Sequence, residues 1–216
     1  THKIERLEDL NINNKIDFLR CDITEYQAVQ KYIEKIKPDF FYNLAAQSFV
    51  QYSFENPFST FKVNLNAVLN ILETLKINNL VKCRFYQAST SEMFGNTVRK
   101  RNQKINMQNS FEPVSPYAIS KLSAHHLVKL YRESYGLYAC SGILFNHESP
   151  LRGREFVTKK IVENLVKQKY QNGEILKLGN LDANRDWGHA EDYVDAMISI
   201  LDQKKPDDYI IATGKS

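Results

Sequence analysis

What constrains this chain most is an alternation of short apolar runs with longer segments of helical period. The run at residues 39–45 is apolar almost without a break, as a parallel strand buried on both faces must be. Similar runs lie at residues 16–22, 82–88, 137–144, 175–178 and 209–212. Between them, apolar residues recur every three or four positions. Val29, Tyr32, Ile33 and Ile36 mark one helix, with Thr24 as its expected N-cap and Pro38 as its stop. Residues 57–76 predict a second helix opened by Pro57, and residues 117–135 a third closed by Gly136. Residues 156–170 and 190–201 predict two more. Strand and helix in turn imply βαβ units, right-handed by default, and so an α/β fold with a doubly wound parallel sheet. Ligands of such sheets bind at the carboxyl ends of the strands. Asp22, residues 45–48 and residues 89–92 fall at those ends.

Composition narrows the function less than the pattern does. The formal net charge of the 216 residues is only +4, without the concentrated basic face of a nucleic-acid binder. The cluster Arg99, Lys100, Arg101 and Lys104 reads as a solvated loop. Cys21, Cys83 and Cys140 are odd in number and form no Cys-x-x-Cys pair, so buried free thiols in a reducing compartment are expected. No apolar run approaches the roughly 18 residues of a membrane span. The expected location is the cytoplasm, with no membrane or nucleic-acid partner.

The chemistry concentrates in two stretches, residues 87–95 and 117–121. The first ends a buried strand and delivers Ser89, Thr90 and Glu92 into a loop. The second opens a helix with Tyr117 and Lys121 at i and i+4, hence on one face. A cation beside a phenol lowers its pKa, so Tyr117 is expected to serve as a general base at neutral pH. Tyr-x-x-x-Lys is common in helices, and its context after a Ser/Thr strand end is what gives it weight. Glu92 adds a second acid/base group, which implies two proton transfers. His147-Glu148 lacks the second His of a zinc motif, since residue 151 is Leu, and no metal site is expected. His125-His126 reads as a helix-surface pair, and Ser141 lacks a nucleophile-elbow context. Lys159, Lys160 and Arg185 are candidate phosphate contacts. No Gly-x-Gly-x-x-Gly or P-loop occurs anywhere in the sequence.

These residues together resemble the extended short-chain dehydrogenase/reductase family, and within it the GDP-mannose 4,6-dehydratases. The resemblance runs from Asp22 to Gly214. It rests on Tyr42-Asn-Leu-Ala-Ala-Gln-Ser48, Phe85-Tyr-Gln-Ala-Ser-Thr-Ser-Glu92, Gly142-Ile-Leu-Phe-Asn-His-Glu-Ser-Pro150, Phe156-Val-Thr-Lys-Lys-Ile161 and the stretch from Leu178 through Asn184-Arg-Asp-Trp-Gly-His189. It implies a Rossmann-like NADP-binding domain at residues 1–145 and an interleaved nucleotide-sugar-binding region at residues 146–216. Thr90, Glu92, Tyr117 and Lys121 match the catalytic set. Asp22, Ile23, Leu44, Ala45, Ala46, Gln47, Ser48, Ser59, Lys121, His147 and Arg152 match cofactor contacts. Ser91, Asn146, Lys160 and Arg185 match the region that holds the nucleotide sugar.

The activity so implied converts GDP-mannose to GDP-4-dehydro-6-deoxy-mannose and water, as the first step of GDP-deoxyhexose synthesis. Tyr117 would take the proton of the sugar 4-hydroxyl, while Glu92 would remove the C5 proton and help the 6-hydroxyl leave. Thr90 would orient the reacting groups. Alternatives within the family are a dTDP-glucose 4,6-dehydratase, which typically has Thr-Asp-Glu where this chain has Thr90-Ser91-Glu92, and a 4-epimerase, which would not need Glu92. A non-catalytic relic of the fold is the alternative from another class. Leu44-Ala-Ala, Phe49 and Leu151 depart from the family pattern. The resemblance also implies that the family's first strand and Gly-rich turn would precede Thr1, and that further sequence would follow Ser216. The chain as given is therefore expected to bind cofactor poorly, and the full protein to form a homo-oligomer, dimer or tetramer.

Overall fold

Four parallel strands form the main sheet of the computed structural model, which describes residues 7–95, 104–171 and 175–215 apart from residues 9, 180, 182 and 183. They are β1 (Phe40–Asn43), β2 (Arg84–Thr90), β3 (Ala139–Leu144) and β6 (Asp208–Ile211), in the order β1-β2-β3-β6. Register runs Tyr42 to Tyr86, Tyr86 to Cys140, and Leu144 to Ile211. All six residues of β3 are buried, as its central place and apolar sequence require.

Alternate residues of the strands feed two cores. Phe85 and Ala139 meet one layer of helices: α1 (Tyr26–Ile36) through Val29 and Ile33, α4 (Ala67–Ile77) through Val68, Ile71, Leu72 and Leu75, and α5 (Pro116–Tyr135) through Ala124, Val128 and Tyr131. Tyr86, Cys140 and Leu144 meet the opposite layer, α7 (Ala190–Leu201), through Tyr193, Met197, Ile200 and Leu201. Each such fully buried aliphatic side chain contributes about 1.5–3 kcal/mol. The sheet is thus doubly wound, as expected.

The connections refine that expectation. The chain steps across the sheet in one direction, through α4 and α5 on one face but through α7 on the other. The link from β3 to β6 therefore winds with the opposite hand to the other two, against the uniform right-handedness expected. Residues 145–189 make a long excursion before α7, which frees this link from the constraint that twist places on a short crossover. The excursion holds β4 (Asn146–Glu148), α6 (Val157–Gln171) and β5 (Trp187–His189), with β4 and β5 paired in parallel. After it, α7 packs on the main sheet and β6 pairs with β3.

Several local expectations are corrected. Residues 16–22 and 175–178 form no strand, and no neighbour pairs with them among the described residues. A β-run needs a partner edge, which its own sequence cannot supply. Thr24 does not cap α1. Glu25 holds that position, while Asp22 accepts hydrogen bonds from Thr24 N at 2.9 Å and Thr24 Oγ1 at 2.7 Å. The helix expected at residues 57–76 divides into α3 (Pro57–Phe61), a π-helical turn (Lys62–Asn66) and α4. A further helix, α2 (Val50–Glu55), precedes it. Cys83 and Cys140 are buried free thiols, but Cys21 is half-buried and outside any strand. His125 is buried rather than on the helix surface. Residues 99–101 of the basic cluster lie outside the described residues. Among the described residues no helix is long and apolar enough to cross a membrane.

Candidate active site at the carboxyl ends of the strands

The site begins where β2 ends. Thr90 is extended, and its Oγ1 caps the 3-10 turn Ser91–Phe94 by accepting from Glu92 N at 3.3 Å. That cap turns Ser91 and Glu92 out of the strand direction. Gly95 closes the turn at φ +48°, where a Cβ would lie 1.8 Å from the carbonyl oxygen of Glu112. Only glycine fits there, and the turn geometry depends on it.

Helix α5 brings the second half. Ser115 caps it, its Oγ accepting from Ala118 N at 3.1 Å, and Pro116 occupies the first turn. This places Tyr117 in the first turn and Lys121 one turn later. Tyr117 is 8% exposed, and Thr90 is close enough to favour its phenolate. Glu92 and Arg152 are both close enough to act on its charge.

The electrostatics correct one expectation. Tyr117 is pushed up to about 12, not down. Burial is the largest cause and Glu92 adds to it, against the Thr90 hydrogen bond and the Arg152 charge. Lys121 is turned to the carbonyl oxygen of Ala88, to which its Nζ donates at 2.5 Å. Burial holds that amine down at about 8. In this arrangement Tyr117 is a neutral hydroxyl at pH 7, and Lys121 is a cation that the interior disfavours.

The remaining candidates fall into two groups. Leu44, Ala45, Ala46, Gln47 and Ser48 form the loop leaving β1, with Leu44 57% exposed. His147 lies on β4, its Nδ1 bonded to the carbonyl oxygen of Phe145 at 2.9 Å and its ring stacked on Tyr193 at 4.6 Å. Since a carbonyl only accepts, Nδ1 carries the proton, and burial holds the ring pKa below its usual value. Arg152 lies over the Phe156 ring at 3.5 Å and pairs with Glu148, Nε to Oε2 at 3.2 Å, off hydrogen-bond geometry. Asp22 sits in its own turn with Thr24. Ile23 packs against the core and Ser59 is exposed on α3. Asn146 opens β4. Lys160 and Arg185 donate to the carbonyls of Lys177 and Asn184.

One organiser escaped the sequence reading. Asn64, in the π turn and 1% exposed, accepts from Gln47 N at 2.9 Å and donates to Gln47 O at 3.0 Å and to Ser120 Oγ at 3.1 Å. It thereby ties the loop after β1 to α5, between Tyr117 and Lys121. Asn43 and Gln87 do the same for β1 and β2, with Asn43 Nδ2 donating to Gln87 Oε1 at 2.8 Å. An amide in the midst of an otherwise apolar helical pattern was the available signal for Asn64.

Known proteins are similar to this chain in fold and in sequence. The structure of RMD from Pseudomonas aeruginosa complexed with NADPH matches with a TM-score of 0.83 at 26% identity, over 91% of this chain and 67% of that one. DesIV, a dTDP-glucose 4,6-dehydratase from Streptomyces venezuelae with NAD bound, matches at 0.79 and 23% identity, over 90% and 57%, which establishes the fold alone. GDP-mannose 4,6 dehydratase 1 of Arabidopsis thaliana is 48% identical over 210 residues, covering 95% of this chain and 57% of its own length. GDP-mannose 4,6-dehydratase of Vibrio cholerae is 44% identical over 217 residues, covering 99% and 58%. The chain thus spans little more than half the length of these curated relatives. The family model for GDP-mannose 4,6 dehydratase matches residues 1–216. On these grounds the chain belongs to the GDP-mannose 4,6-dehydratase family.

Proposed function

We propose that this chain carries the catalytic part of an NADP-dependent hydro-lyase that converts GDP-mannose to GDP-4-dehydro-6-deoxy-mannose and water. The observation that carries this reading is the convergence of Thr90, Glu92, Tyr117 and Lys121 at the carboxyl end of β2. A phenol and a carboxylate acting on one substrate provide for two proton transfers, as a dehydration through a ketone needs.

Unpaired polar atoms at the strand ends suit a nicotinamide cofactor. Gln47 Oε1 and Ser89 Oγ are buried without a hydrogen-bond partner among the described residues. Lys121 has three donors, of which Ala88 O takes one. Lys121, the 44–48 loop, His147 and Arg152 would hold the cofactor, with Asp22, Ile23 and Ser59 at its margin. When bound, the cofactor supplies a reversible two-electron oxidation and reduction of the sugar. NADPH in the Pseudomonas structure supports NADP over NAD.

In its phenolate form, which Thr90 and the Arg152 charge favour, Tyr117 takes up the proton of the sugar 4-hydroxyl. The resulting 4-ketone acidifies the hydrogen at C5. Glu92 removes that proton and delivers one to the departing 6-hydroxyl. Arg152 brings positive charge toward the phenol oxygen as it loses or gains its proton, and Lys121 is read as the helical partner of Tyr117. Ser91, Asn146, Lys160 and Arg185 are read as nucleotide-sugar contacts, which places the sugar nucleotide over residues 146–216. The full protein is read as a cytoplasmic homo-oligomer, and Phe58, 91% exposed on α3, supports a surface that a partner copy covers.

The test is to give the full-length protein NADP+ with GDP-mannose, dTDP-glucose or UDP-glucose and to follow product mass. Loss of one water from GDP-mannose alone is expected. Loss of water only from another sugar overturns the substrate assignment, and no loss from any overturns the activity.

A further inference from the structure

Asp186 is 8% exposed, and three donors converge on its carboxylate. Oδ1 accepts from Thr213 N at 3.0 Å and Thr213 Oγ1 at 2.9 Å, while Oδ2 accepts from Gly214 N at 2.7 Å. This clamp joins the start of β5 to the turn that follows β6, tying the β4–β5 pair to the main sheet. Burial along residues 185–189 alternates strictly, with Arg185, Trp187 and His189 exposed and Asp186 and Gly188 turned inward. Inward, a Cβ on Gly188 would meet the Tyr193 ring at 2.5 Å, and His147, the β4 partner of Gly188, stacks on that ring. Outward, Asn146 stands in register with Trp187, which follows Arg185 by two residues in the same alternation. No carboxylate pairs with Arg185 among the described residues, and the neighbouring Asp186 charge is spent on Thr213 and Gly214.

We propose that Asp186 is a positioning residue for a nucleoside-diphosphate sugar: its clamp on Thr213 and Gly214 fixes the β4–β5 pair so that Arg185 and Asn146 present one face to the ligand's diphosphate. Three hydrogen bonds from fixed donors set the rotation of β5, and the alternation of the strand converts that rotation into the direction of Arg185. The inference rests on the proposed function, because the ligand class is that reading's substrate.

The full-length protein is titrated calorimetrically with GDP-mannose as wild type, Asp186→Asn, Thr213→Val and Thr213→Ser, with a thermal midpoint for each. Asp186→Asn keeps the shape but loses an acceptor for Gly214 N, and its affinity is expected to fall about tenfold, the equivalent of one charge-assisted hydrogen bond. Thr213→Val should weaken binding by a smaller factor, and Thr213→Ser, which keeps the hydroxyl, should bind as wild type. Where assayed, KM should rise with kcat within about twofold. A lowered thermal midpoint with unchanged GDP-mannose affinity in Asp186→Asn and Thr213→Val overturns the proposal and leaves the activity standing. Wild type without affinity for GDP-mannose overturns the proposed function, and this inference with it.

Discussion

At the scale of single residues, the site is governed by burial more than by pairing. Tyr117 and Lys121 share a helical face as their spacing dictates, yet each is pushed toward its neutral form. The sequence shows the spacing but not how far the strand end sinks both groups beneath the surface. Lys121 has a consequence for stability that can be measured. Its folded pKa, about 8, lies below the ordinary 10.5, so the folded chain binds this proton more weakly than the unfolded chain. Stability from this group is complete above the ordinary value and is lost as pH falls toward and below the folded one. The penalty on the acid side is about 3 kcal/mol. Chemical denaturation across that window should show the wild type gaining stability relative to Lys121→Met by that order. Parallel pH profiles for the two proteins would contradict the burial of a charged Lys121.

At the scale of elements, long-range pairing separates what the sequence reveals from what it conceals. Segments buried on both faces were legible, since β3 carries its signal in every residue, and the end of α5 was legible from Gly136. Residues 16–22 carry the same kind of signal and yet pair with nothing described, because strand formation is decided by a neighbour far away in sequence. The break of the expected 57–76 helix at the π turn was also concealed. Its apolar positions continue through Lys62–Asn66, and of the two amides there Asn64 joins loop, helix and site. Replacing Asn64 with Ala leaves Gln47 N and O and Ser120 Oγ short of partners, a loss of about 2–3 kcal/mol. It should also weaken NADP binding, because Gln47 lies in the loop read as cofactor-binding. Thermal unfolding and cofactor titration of Asn64→Ala check both. Retained cofactor affinity would show that the loop after β1 holds its shape without Asn64.

At the scale of the whole molecule, one sheet collects residues far apart in the chain, and buried polar contacts secure its far edge. Asp208 on β6 receives Arg132 of α5 through two hydrogen bonds, at 2.9 and 2.7 Å, and Ser141 N at 3.1 Å. His125 Nε2 lies 3.8 Å from the same carboxylate. The helix that carries Tyr117 and Lys121 is thus locked to the strand at which the 145–189 excursion returns. Thr90, Glu92, Tyr117 and Lys121, proposed as the catalytic set, lie in two short stretches that the sequence singles out. It did not show the clamp at Asp186 or the lock at Asp208, whose partners stand 27 and 76 residues away. We propose that one site performs two distinct proton transfers, with Tyr117 serving oxidation at C4 and Glu92 serving elimination across C5 and C6. The most direct measurement follows NADPH absorbance and product mass together in full-length Glu92→Gln protein supplied with GDP-mannose and NADP+. Reduced cofactor should accumulate, up to about one equivalent per site, while loss of water falls by a factor of about a hundred or more. Loss of water at the wild-type rate would contradict the assignment of the second proton transfer to Glu92.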